Sequence, residues 1–284
     1  ARRMSTVRET GRRVRAGIGG ALPERARYLI WERAVPRLGL ARALGHRLPE
    51  PIELARLDRI DAWAEPALTD AEQLEPRLWE LGVNEEIAHV LPAERRAETG
   101  EGLRFTQFPN QFAPYLVAIG GLGIRSYMEI GVDHGGTFLI TTAYLSRRGA
   151  LERATAVDRF DIPSLHSHPG PARTTTVIRA ESSSPKVARH LAEHRPFDLV
   201  LIDGDHSEEG VRRDLELVRP HAHAIALHDI VGENTPGVRA VWESLRRDHA
   251  GEYELHEFTA QYPETAAAID GTALGIGLAV RRER

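Results

Sequence analysis

The sequence predicts an α/β domain with a doubly wound, mostly parallel sheet, preceded by a helical N-terminal extension. From residue 104 onward, short apolar runs alternate with helical stretches, and strands separated by helices imply right-handed crossovers between parallel neighbours. Two of the runs end in ionisable groups. The segment 127–137 contains an acid and a glycine-rich turn, and 197–206 ends in Asp203, Asp205 and His206. Ligands bind outside the carboxyl ends of the strands in such a sheet. The ionisable groups at these two strand ends therefore indicate that the protein is an enzyme.

The composition is ordinary for a globular protein and excludes several kinds of site. Of the 284 residues, 42% are hydrophobic and 27% are charged, as is usual for a soluble protein. No window approaches 18 uninterrupted apolar residues, and the first fifteen residues lack the apolar core of a signal peptide. We therefore expect a cytoplasmic protein. With no cysteine in the chain, disulfides, thiolate metal sites and a cysteine nucleophile are excluded.

Positive charge is concentrated at the start of the chain. Residues 1–48 hold twelve Arg against three Glu, although the whole chain has a net charge of −4. A basic amphipathic start can bind an anionic surface or nucleic acid. We interpret this one instead as a solvated or subunit-contacting helical arm. The expected partners are thus further copies of the chain in a homo-oligomer, with no nucleic acid and no membrane.

The first hundred residues read as a helical extension. Helix starts are predicted at Pro23 and at Thr69 to Glu72, and the prolines at 49 and 51 predict a break between two helical parts. The sequence Gly-Glu-Gly at 100–102 marks the boundary with the main domain. The predicted domains are therefore 1–102, serving as a lid or in oligomerisation, and 103–284.

The main domain is predicted to contain seven strands and four helices in alternation. The strands are predicted at 125–131, 154–157, 176–179, 197–202, 222–227, 253–258 and 274–280, and the helices at 136–147, 185–194, 208–218 and 236–247. The segment 105–115, rich in aromatics and amides, precedes the first strand. It is either a lid that brings Gln107 and Gln111 to a ligand or a packing element.

The glycine-rich turn after the first strand is a candidate cofactor site. Glycines let the backbone pass close to a ligand, and a helix N-terminus follows them. A dinucleotide-binding GxGxxG pattern fails because Asp133 stands at its second glycine. Glu129 and Gly131, with Gly135 four residues later, instead resemble the first motif of class I S-adenosylmethionine-dependent methyltransferases. The resemblance implies that Glu129 meets the methionine amino group; a tight turn without a ligand is the alternative.

The next two strand ends carry polar residues that suit a nucleoside. An acid at the end of the second strand, here Asp158, commonly binds both ribose hydroxyls, although it could instead be a helix cap or turn residue. The third strand ends before Glu181 and Ser182, whose side chains are candidates for the adenine edge.

Three later segments resemble one group of bacterial methyltransferases. The segments are 197–217, 224–230 and 235–242, and their most specific part is the pairing of IDGDH with LHD. The group includes small-molecule and sugar O-methyltransferases and cephalosporin-hydroxylase-like proteins. The resemblance extends from about residue 104 to the C-terminus, and it implies a Rossmann-like domain that binds S-adenosylmethionine over 103–284.

Metal-dependent members of this group hold a divalent cation at the ends of the fourth and fifth strands. The corresponding residues here are Asp203, His228 and Asp229, and Asp203 is also expected to line the cofactor pocket. Mg²⁺ prefers oxygen ligands. His228 stands where relatives often have an acid or an amide, so Mn²⁺, iron, zinc and a metal-free enzyme stay open.

His206 is the candidate general base, because a sugar hydroxyl must lose its proton during methyl transfer. The alternative is that Asp205 and Ser207 cap the next helix while His206 faces water. The resemblance implies methyl transfer to a hydroxyl of a small molecule, a sugar of a specialised metabolite such as an antibiotic. An N-methyltransferase, a hydroxylase-like enzyme and a non-catalytic nucleoside-binding subunit are the alternatives.

Overall fold

The computed structural model describes residues 52–282, except 150, 169, 171 and 270. Its seven strands are β1 Ser126–Ile130, β2 Arg153–Asp158, β3 Thr174–Arg179, β4 Phe197–Ile202, β5 Ala222–His228, β6 Tyr253–Phe258 and β7 Ile276–Arg281. Its α-helices are α1 Asp58–Asp61, α2 Glu65–Thr69, α3 Ala71–Leu81, α4 Pro109–Gly120, α5 Gly136–Arg148, α6 Pro163–Ser167, α7 Pro185–His194, α8 Glu208–Val218, α9 Pro236–Asp248 and α10 Pro263–Ile269. In the described part of the chain, no helix combines the length and the apolar character needed to cross a membrane.

The sheet has the strand order β3-β2-β1-β4-β5-β7-β6. All neighbours from β3 to β5 are parallel, and β7 runs antiparallel to both β5 and β6. The predicted doubly wound, mostly parallel fold is confirmed. The winding changes direction between β1 and β4, and a crevice at such a switch point is where ligands bind in open α/β sheets.

Helices cover both faces of the sheet, which explains why its central strands are buried along almost their whole length. Tyr127 and Leu199 belong to one buried cluster, whereas their chain neighbours Met128 and Val200 belong to the other. Successive side chains of a strand point to opposite faces. The core therefore consists of two layers, one on each side of the sheet.

The described part of the N-terminal extension is more broken than predicted. Three short α-helices are followed by 3₁₀ turns at Glu85–Val90 and Ala93–Glu98. The predicted start near Thr69 is confirmed, since the Asp70 carboxylate accepts a hydrogen bond from Glu72 N at 2.9 Å. The basic arm, the start at Pro23 and the break at 49–51 lie outside the described residues. The compact unit that the structure describes begins at Ile52, and the boundary at residue 102 stays a prediction.

Two differences from the predicted elements have local causes. The last strand begins at Ile276 rather than at 274, because Leu274 and Gly275 have φ values of 57° and 91° and cannot extend the strand. Helix α4 occupies much of the segment 105–115. Its Gln111 is fully buried, donates to Ala260 O at 2.8 Å and accepts from Gly275 N at 2.9 Å. These contacts favour packing over a lid.

Candidate active site

The glycine turn after β1 touches the end of β4. Gly131 has a φ of 85°, and a Cβ at this position would lie 2.0 Å from the carbonyl oxygen of Asp203. Asp203 N donates to Ile130 O at 2.8 Å, which fixes this close approach. The turn and the polar residues after β4 therefore form one continuous site.

Asp158 holds the glycine turn in place. Its Oδ2 accepts hydrogen bonds from the backbone N–H groups of Val132 and Asp133 at 2.9 and 3.0 Å, and its Oδ1 accepts from Phe160 N at 2.8 Å. A carboxylate has about four acceptor positions, so roughly one remains for a ligand. Asp158 is therefore a turn residue, one of the alternatives that the sequence left open. Its binding of the ribose hydroxyls stays a proposal.

Glu129 is buried behind the turn. Only 1% of its surface is exposed, and its Oε2 accepts a hydrogen bond of 2.5 Å from Tyr127 Oη. Burial, together with the nearby charge of Asp203, raises the pKa of the Glu129 carboxyl well above its usual value. A carboxyl group in this position is a weaker acid than an exposed glutamate and keeps its proton to higher pH.

Four ionisable side chains converge at the ends of β4 and β5. His228 Nδ1 lies 3.0 Å from Asp203 Oδ1 and 3.4 Å from Asp229 Oδ1. The two ring nitrogens of His206 lie 3.3 Å from Asp203 Oδ1 and 3.5 Å from Asp229 Oδ2. The structure thus brings all four predicted residues together, with each histidine between two carboxylates.

The charges in this cluster favour its ionised forms. Burial opposes ionisation of Asp203, but the charge of His228 and hydrogen bonds from both histidines hold the pKa of Asp203 below its usual value. Burial likewise opposes protonation of His228, yet the charges of Asp203 and Asp229 raise its pKa to about 9. The His206 pKa is also raised, mainly by Asp203 against the effect of burial. At neutral pH, His228 is a buried cation between two carboxylates.

Ser207 caps the helix as predicted and Asp205 supports the cap residue, but His206 does not simply face water. Ser207 Oγ accepts from Gly210 N at 3.1 Å, and Asp205 Oδ1 accepts from Ser207 N at 3.0 Å. The same turn aims the ring of His206 at Asp203 and Asp229, and 41% of its side chain stays exposed. Capping of the helix by this turn is therefore compatible with a position of His206 in the cluster.

The residues after β3 take different positions. Glu181 is exposed, whereas Ser182 is half-buried and donates a hydrogen bond of 2.6 Å to Asp214 Oδ1. Ser182 is therefore better placed than Glu181 for the predicted contact with the adenine edge.

Residues 128–230, which contain the turn and the cluster, match the family model described as a methyltransferase domain. This segment therefore resembles a methyltransferase domain. A comparison with curated proteins gives no match. Among solved structures, the chain is similar to the O-methyltransferase from Bacillus cereus in complex with SAH, with 15% identity and a TM-score of 0.43 over 80% of this chain and 96% of that one. It is also similar to the O-methyltransferase TomG from Streptomyces achromogenes, involved in tomaymycin synthesis, with 18% identity and a TM-score of 0.45 over 78% and 100% of the two chains.

The acid–histidine cluster has donor atoms that a divalent cation could use. Its two carboxylates suit Mg²⁺ or Mn²⁺, whereas its two imidazoles suit a softer metal. The buried atoms His228 Nε2 and Asp229 Oδ1 have no hydrogen-bond partner among the described residues. The arrangement differs from a formed site: within the described residues, no three His, Asp or Glu side chains are grouped to hold a metal. Asp203 and Asp229 contact histidine nitrogens instead.

Sequence reasoning missed two partners of the predicted site residues. Tyr127 precedes Glu129 by two residues and so lies on the same face of β1, which is a signal that the sequence offered. Asp214 follows Val211 by three residues and precedes Val218 by four, which places an acid on the apolar face of α8. A buried acid at a core position was therefore visible in the helical periodicity.

Proposed function

We propose that the protein transfers a methyl group from S-adenosylmethionine to a hydroxyl of a small molecule, a sugar of a specialised metabolite. One observation carries this proposal: the turn at Gly131 is in contact with Asp203, so the cofactor turn adjoins the acid–histidine cluster. The methyltransferase family match over residues 128–230 supports the reaction class. The hydroxyl acceptor and its sugar nature are proposed from the motif resemblance.

His206 is the proposed general base. It is the most exposed member of the cluster, at 41%, against 20% for Asp203 and 4% for His228. An acceptor hydroxyl would replace one carboxylate contact of His206 and pass its proton to the freed ring nitrogen. The oxygen then bonds to the methyl carbon, and the electrons of the broken S–C bond remain on sulfur, which leaves S-adenosylhomocysteine.

A divalent cation is a further part of the proposal. Asp203, His228 and Asp229 would hold it, and a bound cation would lower the pKa of the acceptor hydroxyl. Supporting this, the donor set has the right chemistry and two of its buried atoms have no hydrogen-bond partner among the described residues. In the structure, His228 Nδ1 lies 3.0 Å from Asp203 Oδ1 and 3.4 Å from Asp229 Oδ1.

Binding of the cofactor is the direct test of the proposed function. Titration calorimetry should show S-adenosylmethionine or S-adenosylhomocysteine binding, with no comparable binding of NAD. Asp158→Ala should weaken binding by at least tenfold, because a hydrogen bond to a charged group contributes about 1.5–3 kcal/mol and the turn loses its anchor. Asp161→Ala, which removes an exposed carboxylate paired with His166 in the same loop, should bind like the wild type. Preferential binding of NAD would contradict the proposal.

Removal of divalent metal tests the cation separately. Chelation should abolish turnover and added Mg²⁺ or Mn²⁺ should restore it, while affinity for S-adenosylhomocysteine stays largely unchanged. Elemental analysis of the dialysed protein should accompany the assay. Full turnover in excess chelator, with no metal retained, would remove the cation from the mechanism and leave His206 and the His228 cation to act alone.

A further inference from the structure

Helix α8 carries an acid on its buried face that the proposed chemistry does not use. Val211, Leu215 and Val218 form the apolar face of the helix, and Asp214 lies among them with no solvent exposure. Burial raises the pKa of the Asp214 carboxyl against the effect of a hydrogen bond from Ser182. A polar group at a core position carries a desolvation cost unless it has a polar role.

Asp214 connects the loops that follow two strands of the site. Its Oδ1 accepts the 2.6 Å hydrogen bond from Ser182, which follows β3. Its Oδ2 lies 3.7 Å from the place that a Cβ would take at Gly204, which follows β4. This Oδ2 is buried and has no hydrogen-bond partner among the described residues. One carboxyl group therefore lies next to residues that follow both strands.

The hydrogen bond to Asp214 fixes the polarity of the Ser182 hydroxyl. A hydroxyl offers one donor and two acceptor positions. The donor is committed to Asp214 Oδ1, and Arg213 Nη2 donates to the same hydroxyl oxygen at 3.5 Å. What Ser182 can still offer a ligand is a lone pair. It therefore accepts hydrogen bonds and does not donate them.

The strand order decides which part of a nucleoside reaches Ser182. With the ribose at Asp158 after β2 and the sulfonium end at the turn after β1, the base must extend away from β1. The neighbour of β2 on that side is β3, and Ser182 lies in the loop that follows it. The half-buried hydroxyl is therefore at the base end of the crevice.

We propose that Asp214 is a positioning residue that turns Ser182 into an acceptor for the exocyclic amino group of adenine. An amino N–H matches the lone pair of Ser182, whereas the carbonyl oxygen of a deaminated purine would face it lone pair to lone pair. A site built for one polarity rejects the opposite one. The inference deepens the proposed function and depends on it, because it assumes that the nucleoside is the cofactor.

Calorimetry with two ligands that differ only at the C6 and N1 edge of the base tests the inference. The wild type should bind S-adenosylhomocysteine roughly tenfold more tightly than S-inosylhomocysteine, the value of about one hydrogen bond. Asp214→Ala frees the Ser182 hydroxyl to rotate, so the ratio should fall to about threefold or less. Ser182→Ala should abolish the preference. Glu216→Ala, an exposed acid on the same helix, should keep the wild-type ratio.

The outcomes separate this inference from the proposed function. Failure of the wild type to bind S-adenosylhomocysteine contradicts the proposed function and the inference with it. Binding of both ligands with equal affinity, or an unchanged ratio in Asp214→Ala, contradicts the inference alone. A purely structural role of Asp214 would lower both affinities together and leave their ratio as it was. If Asp214→Ala does not fold, the Ser182→Ala ratio decides, since that change leaves the face of α8 intact.

Discussion

His206→Ala should lower the turnover number by about 10²–10⁴-fold, the usual contribution of a general base. The affinity for S-adenosylhomocysteine should change little, because His206 lies at the exposed side of the cluster and is not itself among the proposed cofactor contacts. Single-turnover rates and calorimetry on the same preparation would measure the two effects. His249→Ala is the matched control: His249 is also a partly exposed histidine paired with an acid, Glu252, at 3.1 Å. That variant should methylate at the wild-type rate.

The pH dependence gives a second readout for the same residue. A base must be unprotonated to act, and the Asp203 hydrogen bond and the charges of Asp203 and Asp229 raise the pKa of His206 above 6.5. Turnover of the wild type should therefore rise with pH through a midpoint above 6.5, and the His206→Ala variant should lose this limb. The observed midpoint belongs to the coupled cluster rather than to one ring. A variant with the wild-type rate at every pH would assign His206 to a role without proton transfer.

The parts of the fold that were predicted well have strong local signals. The strand β4 was predicted with its observed bounds because an apolar run, interrupted only by Asp198, lies between Pro196 and the polar Asp203. The bounds of α8 were also correct, since Ser207 supplies a cap and the apolar positions repeat at helical spacing. The convergence of β4 and β5 residues was expected from the family resemblance, and it agrees with the topology, because the carboxyl ends of neighbouring parallel strands meet at one edge.

The features that could not be predicted from the sequence depend on contacts between residues that are far apart in the chain. The amide of Gln111 contacts Ala260 and Gly275, which lie about 150 residues later. Nothing local to the segment 105–115 distinguishes this packing from a lid. The Asp158 carboxylate is similarly directed at Val132 and Asp133 by the turn geometry, so the number of its acceptor positions left for a ribose was not visible in the sequence. The placement of both histidines between two carboxylates is a property of the assembled sheet edge.

Gly131→Ala should be among the most destabilising single substitutions in the chain. The backbone at Gly131 has a φ of 85°, which costs a residue with a Cβ about 1–2 kcal/mol. The added Cβ would lie 2.0 Å from Asp203 O, and this carbonyl belongs to backbone that is tied to Ile130. Overpacking against fixed atoms costs a further 1–3 kcal/mol or so. The free energy of unfolding should therefore fall by about 2–5 kcal/mol, a large share of the 5–15 kcal/mol that is typical of a domain.

Gly149→Ala is the control for this substitution and should act in the opposite direction. Gly149 follows α5 with an extended φ of −173°, and no described atom lies within 4 Å of its Cβ position. Alanine there should be neutral or raise the free energy of unfolding by up to about 1 kcal/mol, since it restricts the unfolded chain. Urea unfolding of both variants measures the contrast. Equal stability of the two would mean that the β1 and β4 ends can separate without loss, and the close approach of the glycine turn to Asp203 would then not be what holds the proposed site together.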